Sequence, residues 1–171
     1  MGAGAAARVE LLCLDVDGVM TDGRICLDDN AVETKRFHVR DGTGIRIWTT
    51  LGYQVALVTG RSGSALKHRA AELGIRHVVQ SSTDKAQALD GLLGELSLVP
   101  AQAAVLGDDL PDLAMMRGAG YAMAVADAVP EVRRAATFVT TLAGGNGAVR
   151  EVIEHLLREK NRWDEAVGLF G

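Results

Sequence analysis

Three aspartates, Asp15, Asp17 and Asp22, fall within eight positions at the end of an apolar run, "VELLCLDVDGVMTDG", residues 9–23. A buried strand gains from its leucines and valine, whereas clustered carboxylates repel and are costly to desolvate unless something positive sits among them. A divalent cation is the guest this pattern predicts. Asp15 and Asp17 are two apart, and in an extended backbone residues i and i+2 project to the same side, so both can face one reacting group. A hard cation such as Mg²⁺ takes oxygen ligands, keeps waters and binds through one or two carboxylates plus a substrate phosphate; Asp15 with a distant Asp108 would suffice. The metal neutralises charge that would otherwise repel an incoming phosphate. Carboxylate attack on phosphorus gives an aspartyl phosphate, and a second aspartate can protonate the leaving oxygen and later activate water. A DxD pair alone is common in loops and turns, so the weight falls on what else converges.

Thr59 in "VTGRSGS" follows a strand and precedes a helix, where its hydroxyl and nearby backbone N–H groups can hold phosphate oxygens. The segment lacks a Walker lysine and is not a P-loop; a plain capped turn is its bland alternative. Lys85 in "SSTDKAQAL" opens a helix, an unfavourable place for a cation given the helix dipole unless an anion compensates. Otherwise it is a solvated surface lysine. "GDDLPDLAMM" gathers Gly107, Asp108, Asp109 and Asp112 around a strand end, with Pro111 near the first helical turn. Helix capping accounts for one or two of those acids, less easily for all of them. His38, His68, His77 and His155 show no metal-ligand spacing and read as structural or surface residues. Met115 and Met116 read as core filling.

The elements that must position these groups alternate. Residues 10–14, 54–58, 77–79, 103–106, 122–125 and 138–140 read as strands; 44–51, 64–73, 85–96, 110–117, 130–135 and 148–160 read as helices. Alternation of this kind predicts an α/β fold, a parallel sheet covered by helices on both faces. Ligands of such sheets bind beyond the carboxyl ends of the strands, which is where Asp15, Asp17, Thr59 and Asp108 would converge. One insertion interrupts the pattern: residues 25–27 and 33–38, joined by "DDNA", look like an antiparallel hairpin leaving the sheet. No internal repeat, low-complexity tract or linker is present.

At 171 residues the chain suits one domain, residues 1–171. Eighteen Lys plus Arg against 22 Asp plus Glu give a net charge of −4, and no basic run suggests a nucleic-acid or membrane-surface footprint. The expected partner is a small molecule. Only Cys13 and Cys26 are present, which fits a reducing compartment better than a disulfide framework. The leader "MGAGAAAR" lacks the long apolar region of a signal peptide, and Ala6 stands where a myristoylation signal wants Ser or Thr; it reads as a frayed start. No apolar run approaches the ~20 residues of a membrane-spanning helix, so a soluble, cytoplasmic protein is expected.

Taken together, "DVDGVMTDG", "TGR", Lys85 and "GDDLPD", in that order, resemble the four motifs of the haloacid dehalogenase superfamily of phosphohydrolases. "FHVRDGTGI", "AVADAVPEVRRAATFVT" and "GGNGAVREVIEHLL" are similar to its capless tetrameric branch, nearest the 3-deoxy-D-manno-octulosonate 8-phosphate phosphatases, and the similarity covers residues 11–166. The resemblance implies a doubly wound, Rossmann-like parallel sheet with a small β-hairpin insertion and no cap domain. It also implies Mg²⁺-dependent hydrolysis of that sugar-acid phosphate through an aspartyl phosphate, a step of lipopolysaccharide precursor synthesis. On the matching positions Asp15 would be the nucleophile and Asp17 the general acid/base, whose backbone carbonyl also binds Mg²⁺, with Asp108 completing the metal site. Thr59, Gly60 and Lys85 would hold the transferring phosphoryl, Lys85 also balancing Asp15, while Arg61 and Arg69 fall where the family places cations that meet the sugar acid or shape its pocket. Capless members use neighbouring subunits as the lid, which implies a homotetramer in which the hairpin, residues 25–38, is an oligomer contact. The tail, residues 161–171, would approach an adjacent active site; its Trp163, Leu169 and Phe170 have no partner apparent in their own domain.

Asn146 stands where the family pattern has a basic residue, a departure that bears on the substrate rather than the chemistry. Relatives handle other octulosonate or nonulosonate phosphates, and similar domains fused to cytidylyltransferases are catalytically silent, though the complete motifs here argue against silence. A receiver-like signalling domain also carries a Mg²⁺-bound aspartate on a doubly wound sheet. Its acceptor would follow a middle strand, where "TGR" and "VVQSS" offer no such aspartate.

Overall fold

In the computed structural model, which describes residues 3–171, the strands are β1 (Leu11–Leu14), β2 (Cys26–Leu27), β3 (Glu33–Thr34), β4 (Gln54–Val58), β5 (His77–Val79), β6 (Ala103–Gly107), β7 (Tyr121–Ala124) and β8 (Phe138–Val139). The helices are α1 (Ala3–Ala6), α2 (Val39–Thr50), α3 (Ser64–Leu73), α4 (Lys85–Leu96), α5 (Leu113–Gly118), α6 (Pro130–Ala135), α7 (Ala148–Glu159) and α8 (Trp163–Gly168). Every residue of β1 is apolar and buried, as a strand covered on both faces requires. It lies between β4 and β6 in a six-stranded sheet of order β5-β4-β1-β6-β7-β8, all of whose pairings are parallel. From β1 the chain winds outward through β4 and β5, then crosses back to β6. The reversal opens a crevice at the carboxyl end of β1, the usual ligand site of doubly wound sheets.

The hairpin is real but short, with β2 and β3 antiparallel and Cys26 opposite Thr34. Among the described residues no cap domain interrupts the helix–strand alternation. Cys13 is buried and Cys26 exposed, both as free thiols. Among the described residues no helix is long and apolar enough to cross a membrane.

Three boundaries depart from expectation. Helix α2 begins at Val39 rather than near Gly44, because His38 caps it: its Nδ1 accepts from the Arg40 N–H at 3.2 Å. Gly42 and Gly44 sit inside that helix because side chains of α3 and α7 press on it; a Cβ on Gly44 would lie 3.1 Å from Arg150 Cδ. The segment read as one helix from 110 starts as a 3-10 turn, Leu110–Asp112, before α5. From residue 3 onward the leader is not frayed: residues 3–6 are helical, Ala6 is fully buried, and Lys160 Nζ donates to the Ala7 carbonyl at 2.8 Å; residues 1–2 of that reading lie outside the described residues.

The tail also differs. Helix α7 has Val149, Val152, Ile153, Leu156 and Leu157 on one buried face, the spacing of an amphipathic helix. Its opposite edge carries Arg150 and Arg158, whose guanidinium carbons lie 5.3 and 5.0 Å from the Trp163 ring centroid. Trp163 therefore has partners in its own chain, correcting the expectation of none. Leu169 and Phe170 remain exposed. Met115 and Met116 are buried core residues, as read.

Candidate active site

Leu14, Leu57 and Leu106 stand side by side in the parallel register, so the residues after them leave the sheet at one level. Asp15 still belongs to the ladder through its N–H, which donates to the Leu106 carbonyl at 3.1 Å, and its side chain is nearly enclosed. Thr59 is fixed likewise, its N–H donating to Val79 at 2.9 Å. A cleft of about 530 Å³ opens at this edge, lined among others by Asp15, Asp17, Thr59, Arg61, Lys85 and Asp108, with Gly60 at its wall.

Lys85 is not the solvated lysine of the bland reading. It is 9% exposed, and its Nζ donates to Asp15 Oδ1 and to Asp112 Oδ1, each at 2.6 Å. Those two anions explain a cation at a helix start, while Asp84 caps α4 by accepting from the Gln87 N–H at 3.0 Å. The 3-10 turn folds Asp112 back beneath β6, where its Oδ2 accepts from the N–H groups of Asp108 (3.0 Å) and Asp109 (3.3 Å). Gly107 makes room for this, since a Cβ there would lie 2.6 Å from that of Asp112. Gly18, at φ +101°, does the same for Asp108, whose carboxylate occupies the space a Cβ would fill.

Asp17 faces the same cleft. Its Oδ2 accepts from Thr59 Oγ1 at 3.4 Å, and Thr59 Oγ1 accepts from the Arg61 N–H at 3.1 Å. Its Oδ1 pairs with Lys35, which also reaches Glu33 Oε1 at 3.4 Å; Glu33 in turn binds Arg61 Nη2 at 2.8 Å. Lys35, Glu33 and the pairing of Asp112 with Lys85 escaped the sequence reading. In the structure residues 33, 35 and 37 of "ETKRF" are half-buried and 34 and 36 exposed, the period of a strand with one face inward, but charged residues on both faces hide that period in the sequence.

Arg69 does not reach this cleft. It pairs with Glu72 at 2.8 Å and lies over the Phe37 ring at 5.7 Å. Asn146 is also outside it, its Nδ2 donating to the Gly144 carbonyl at 3.0 Å.

The electrostatics call for a cation. Burial, then the charge of Asp112, pushes Asp15 up to about 6 despite the nearby Lys85. Burial, then Asp15 and Asp112, pushes Asp108 up to about 8. For Lys85, burial opposes the charged form, but Asp15 and Asp112 outweigh it and its pKa rises. Oxygens of Asp15, Asp108 and Asp112 lie within 4.8 Å of one another. Three carboxylates gather where the one buried ammonium pairs with only two of them, Asp15 and Asp112, and all the donors are hard oxygens, so the residues fit a hard divalent ion. Both oxygens of Asp112 are already engaged, which leaves Asp15 and Asp108 to turn toward it.

The chain is 45% identical over 163 residues to the 3-deoxy-D-manno-octulosonate 8-phosphate phosphatase KdsC of Escherichia coli (strain K12), covering 95% of this chain and 87% of that protein. It belongs to the haloacid dehalogenase-like hydrolases. The model of that hydrolase family matches residues 75–153. The crystal structure of a 3-deoxy-D-manno-octulosonate 8-phosphate phosphatase from Moraxella catarrhalis, in complex with magnesium ion, phosphate ion and KDO, superposes with a TM-score of 0.96 at 40% identity, covering 99% of this chain and 97% of that one. The cobalt-bound phosphatase from Haemophilus influenzae gives 0.93 at 35% identity, over 98% and 99% of the two chains. This haloacid dehalogenase-like hydrolase thus carries the expected motif order on the expected sheet.

Proposed function

We propose that the protein, acting through residues 1–171 as one catalytic domain, is a Mg²⁺-dependent phosphatase that hydrolyses 3-deoxy-D-manno-octulosonate 8-phosphate to the free sugar acid and phosphate. The observation that carries this reading is the Asp15 carboxylate at the end of β1, held 2.6 Å from a buried lysine and beside Asp108, in a chain 45% identical to phosphatases of that substrate. Bound by Asp15, Asp108 and the Asp17 backbone carbonyl, Mg²⁺ would supply positive charge against the phosphate oxygens. Asp15 attacks phosphorus as the bond to the sugar oxygen breaks, giving an aspartyl phosphate, and Asp17 delivers a proton to the departing oxygen. Asp17 then takes a proton from the water that attacks phosphorus, which releases phosphate and restores Asp15. Lys85, the Thr59 hydroxyl and the Gly60 backbone hold the phosphoryl oxygens, and Arg61 meets the sugar carboxylate at the mouth.

The working unit in this reading is a cytoplasmic homotetramer whose neighbours complete the open cleft. Ile25, Leu27 and Val32 on the hairpin are 60%, 57% and 59% exposed, an apolar group that favours a partner surface. The free thiols suit a reducing compartment. Phosphate release across a panel of sugar-acid and other sugar phosphates, with and without Mg²⁺, tests the activity. Preference for another phosphate, or release independent of Mg²⁺, would count against it. Light scattering should report four chains, and a fully active monomer would defeat the shared-site arrangement.

A further inference from the structure

We propose that Lys35 is a positioning residue for Asp17, so that the hairpin, beyond any part in assembly, sets the geometry of the proton-transfer group. The inference rests on the phosphatase reading above and deepens it.

The hairpin turns a charged face toward the site. Glu33 and Lys35 lie on the inward side of the strand, their side chains 15% and 5% exposed, while Thr34 and Arg36 point out. Neither Glu33 nor Lys35 lines the cleft; both stand behind residues that do. Lys35 Nζ pairs with Asp17 Oδ1, and the other oxygen, Oδ2, takes the Thr59 hydroxyl at 3.4 Å. The carboxylate is therefore gripped from two elements distant in sequence, the hairpin and the end of β4. Glu33 Oε1 joins the two cations, bridging Lys35 at 3.4 Å and Arg61 at 2.8 Å.

An anchor for the hairpin would not need this chemistry. Phe37, next on the same face, already provides one beneath Arg69. An enclosed ammonium is costly to desolvate and is retained where its partners need it. Here the partner is one of the two aspartates that carry the proposed reaction. An aspartate held at both oxygens has one orientation toward the leaving group; a free one samples several rotamers, and proton transfer is sensitive to misplacement of that size.

The test is a double-mutant cycle on steady-state phosphate release from the octulosonate phosphate, with substrate in excess and enough enzyme that slow turnover is still read. Lys35→Met should lower kcat roughly 10- to 100-fold, with KM changed less than about threefold. Lys35→Arg, which keeps a charged donor, should recover most of the loss. In an Asp17→Asn background the same Lys35→Met change should cost less than about twofold, because the held carboxylate is gone. Equal losses in both backgrounds, a rise in KM alone, or no loss at all would overturn the proposal. A crystal structure of Lys35→Met should show Asp17 turned away or in several rotamers, and an unmoved, single-conformer Asp17 would overturn it independently of activity. If Lys35→Met does not fold, Lys35→Gln serves in the same cycle. Wild type and Asp15→Asn run alongside: absence of Mg²⁺-dependent release from the first, or full activity of the second, is a failure of the phosphatase reading and is distinguishable from failure of the cycle.

Discussion

The carboxyl edge of the sheet and the hairpin beside it are built on opposite principles. At the sheet edge Asp15, Lys85 and Asp112 are enclosed, their charges pack at 2.6 Å, and their backbones are tied to strands or helix starts. The hairpin has two-residue strands, apolar side chains in solvent, and only its inward charges pinned. A charge held in a dry, rigid setting interacts strongly and is damaging to leave alone; one at a wet rim is cheap to change. The comparison predicts where substitutions hurt activity, where they hurt folding, and where they do neither.

The largest effect should come from Asp15→Asn, which removes the attacking oxygen: turnover should fall by on the order of a thousandfold or more while circular dichroism shows an intact fold. Normal steady-state activity in the folded variant would break the comparison at its first term. Asp108→Ala should follow, losing activity together with its response to Mg²⁺ titration. Ca²⁺ should inhibit the wild type, because its larger, looser coordination lets Asp15 bind through both oxygens; full activity in Ca²⁺ with Mg²⁺ chelated would refute this.

Stability sharpens the contrast. Lys85→Met strands Asp15 and Asp112 without a cation and should cost about 3–5 kcal/mol in urea unfolding, as for one partner lost from a buried pair. Arg61→Ala, which breaks the rim pair with Glu33, should cost less than about 1 kcal/mol.

A further expectation is a pH trend in the metal-free protein. Asp15 and Asp108 titrate at about 6 and about 8 when folded, above their ordinary carboxylate value. Between that value and the folded pKa the native state binds more protons than the unfolded chain, so stability should fall as pH rises through the window. Mg²⁺ should reverse this, raising Tm more at pH 8 than at pH 5 in thermal melts with and without chelator. A larger Mg²⁺ stabilisation at the acidic end would contradict the assigned site.

How much of this was legible in the sequence divides along the same line. Strand ends and the residues just beyond them could be read, because apolar runs followed by Asp, Thr-Gly or Gly-Asp are local patterns. The α2 start is hidden by glycines whose reason is contact with Arg69 and Arg150, and the Asp112 fold-back by a 3-10 turn within a run whose residues pattern as helix. Lys35 meets Asp17 only after the hairpin folds back across 18 residues, which no local period encodes. Trp163 was misread because the stripe formed by Arg150 and Arg158 becomes a stacking surface only once α8 turns back along α7.

Gly144 and Gly145 press backbone against backbone on the loop that follows β1, at Gly18 and Thr21, with no room for a side chain on either glycine, and the Gly145 N–H donates to the Val19 carbonyl at 2.9 Å. The loop bearing the first two aspartates is thus closed by residues made more than a hundred positions later. As the chain leaves the ribosome, β1, β4 and β5 can pair early, but the bed on which Gly18 rests emerges only after β6, β7 and β8 have been made. A nascent chain stalled before Gly144 lacks the backbone that closes the Gly18 loop, so activity should require synthesis to have passed Gly145.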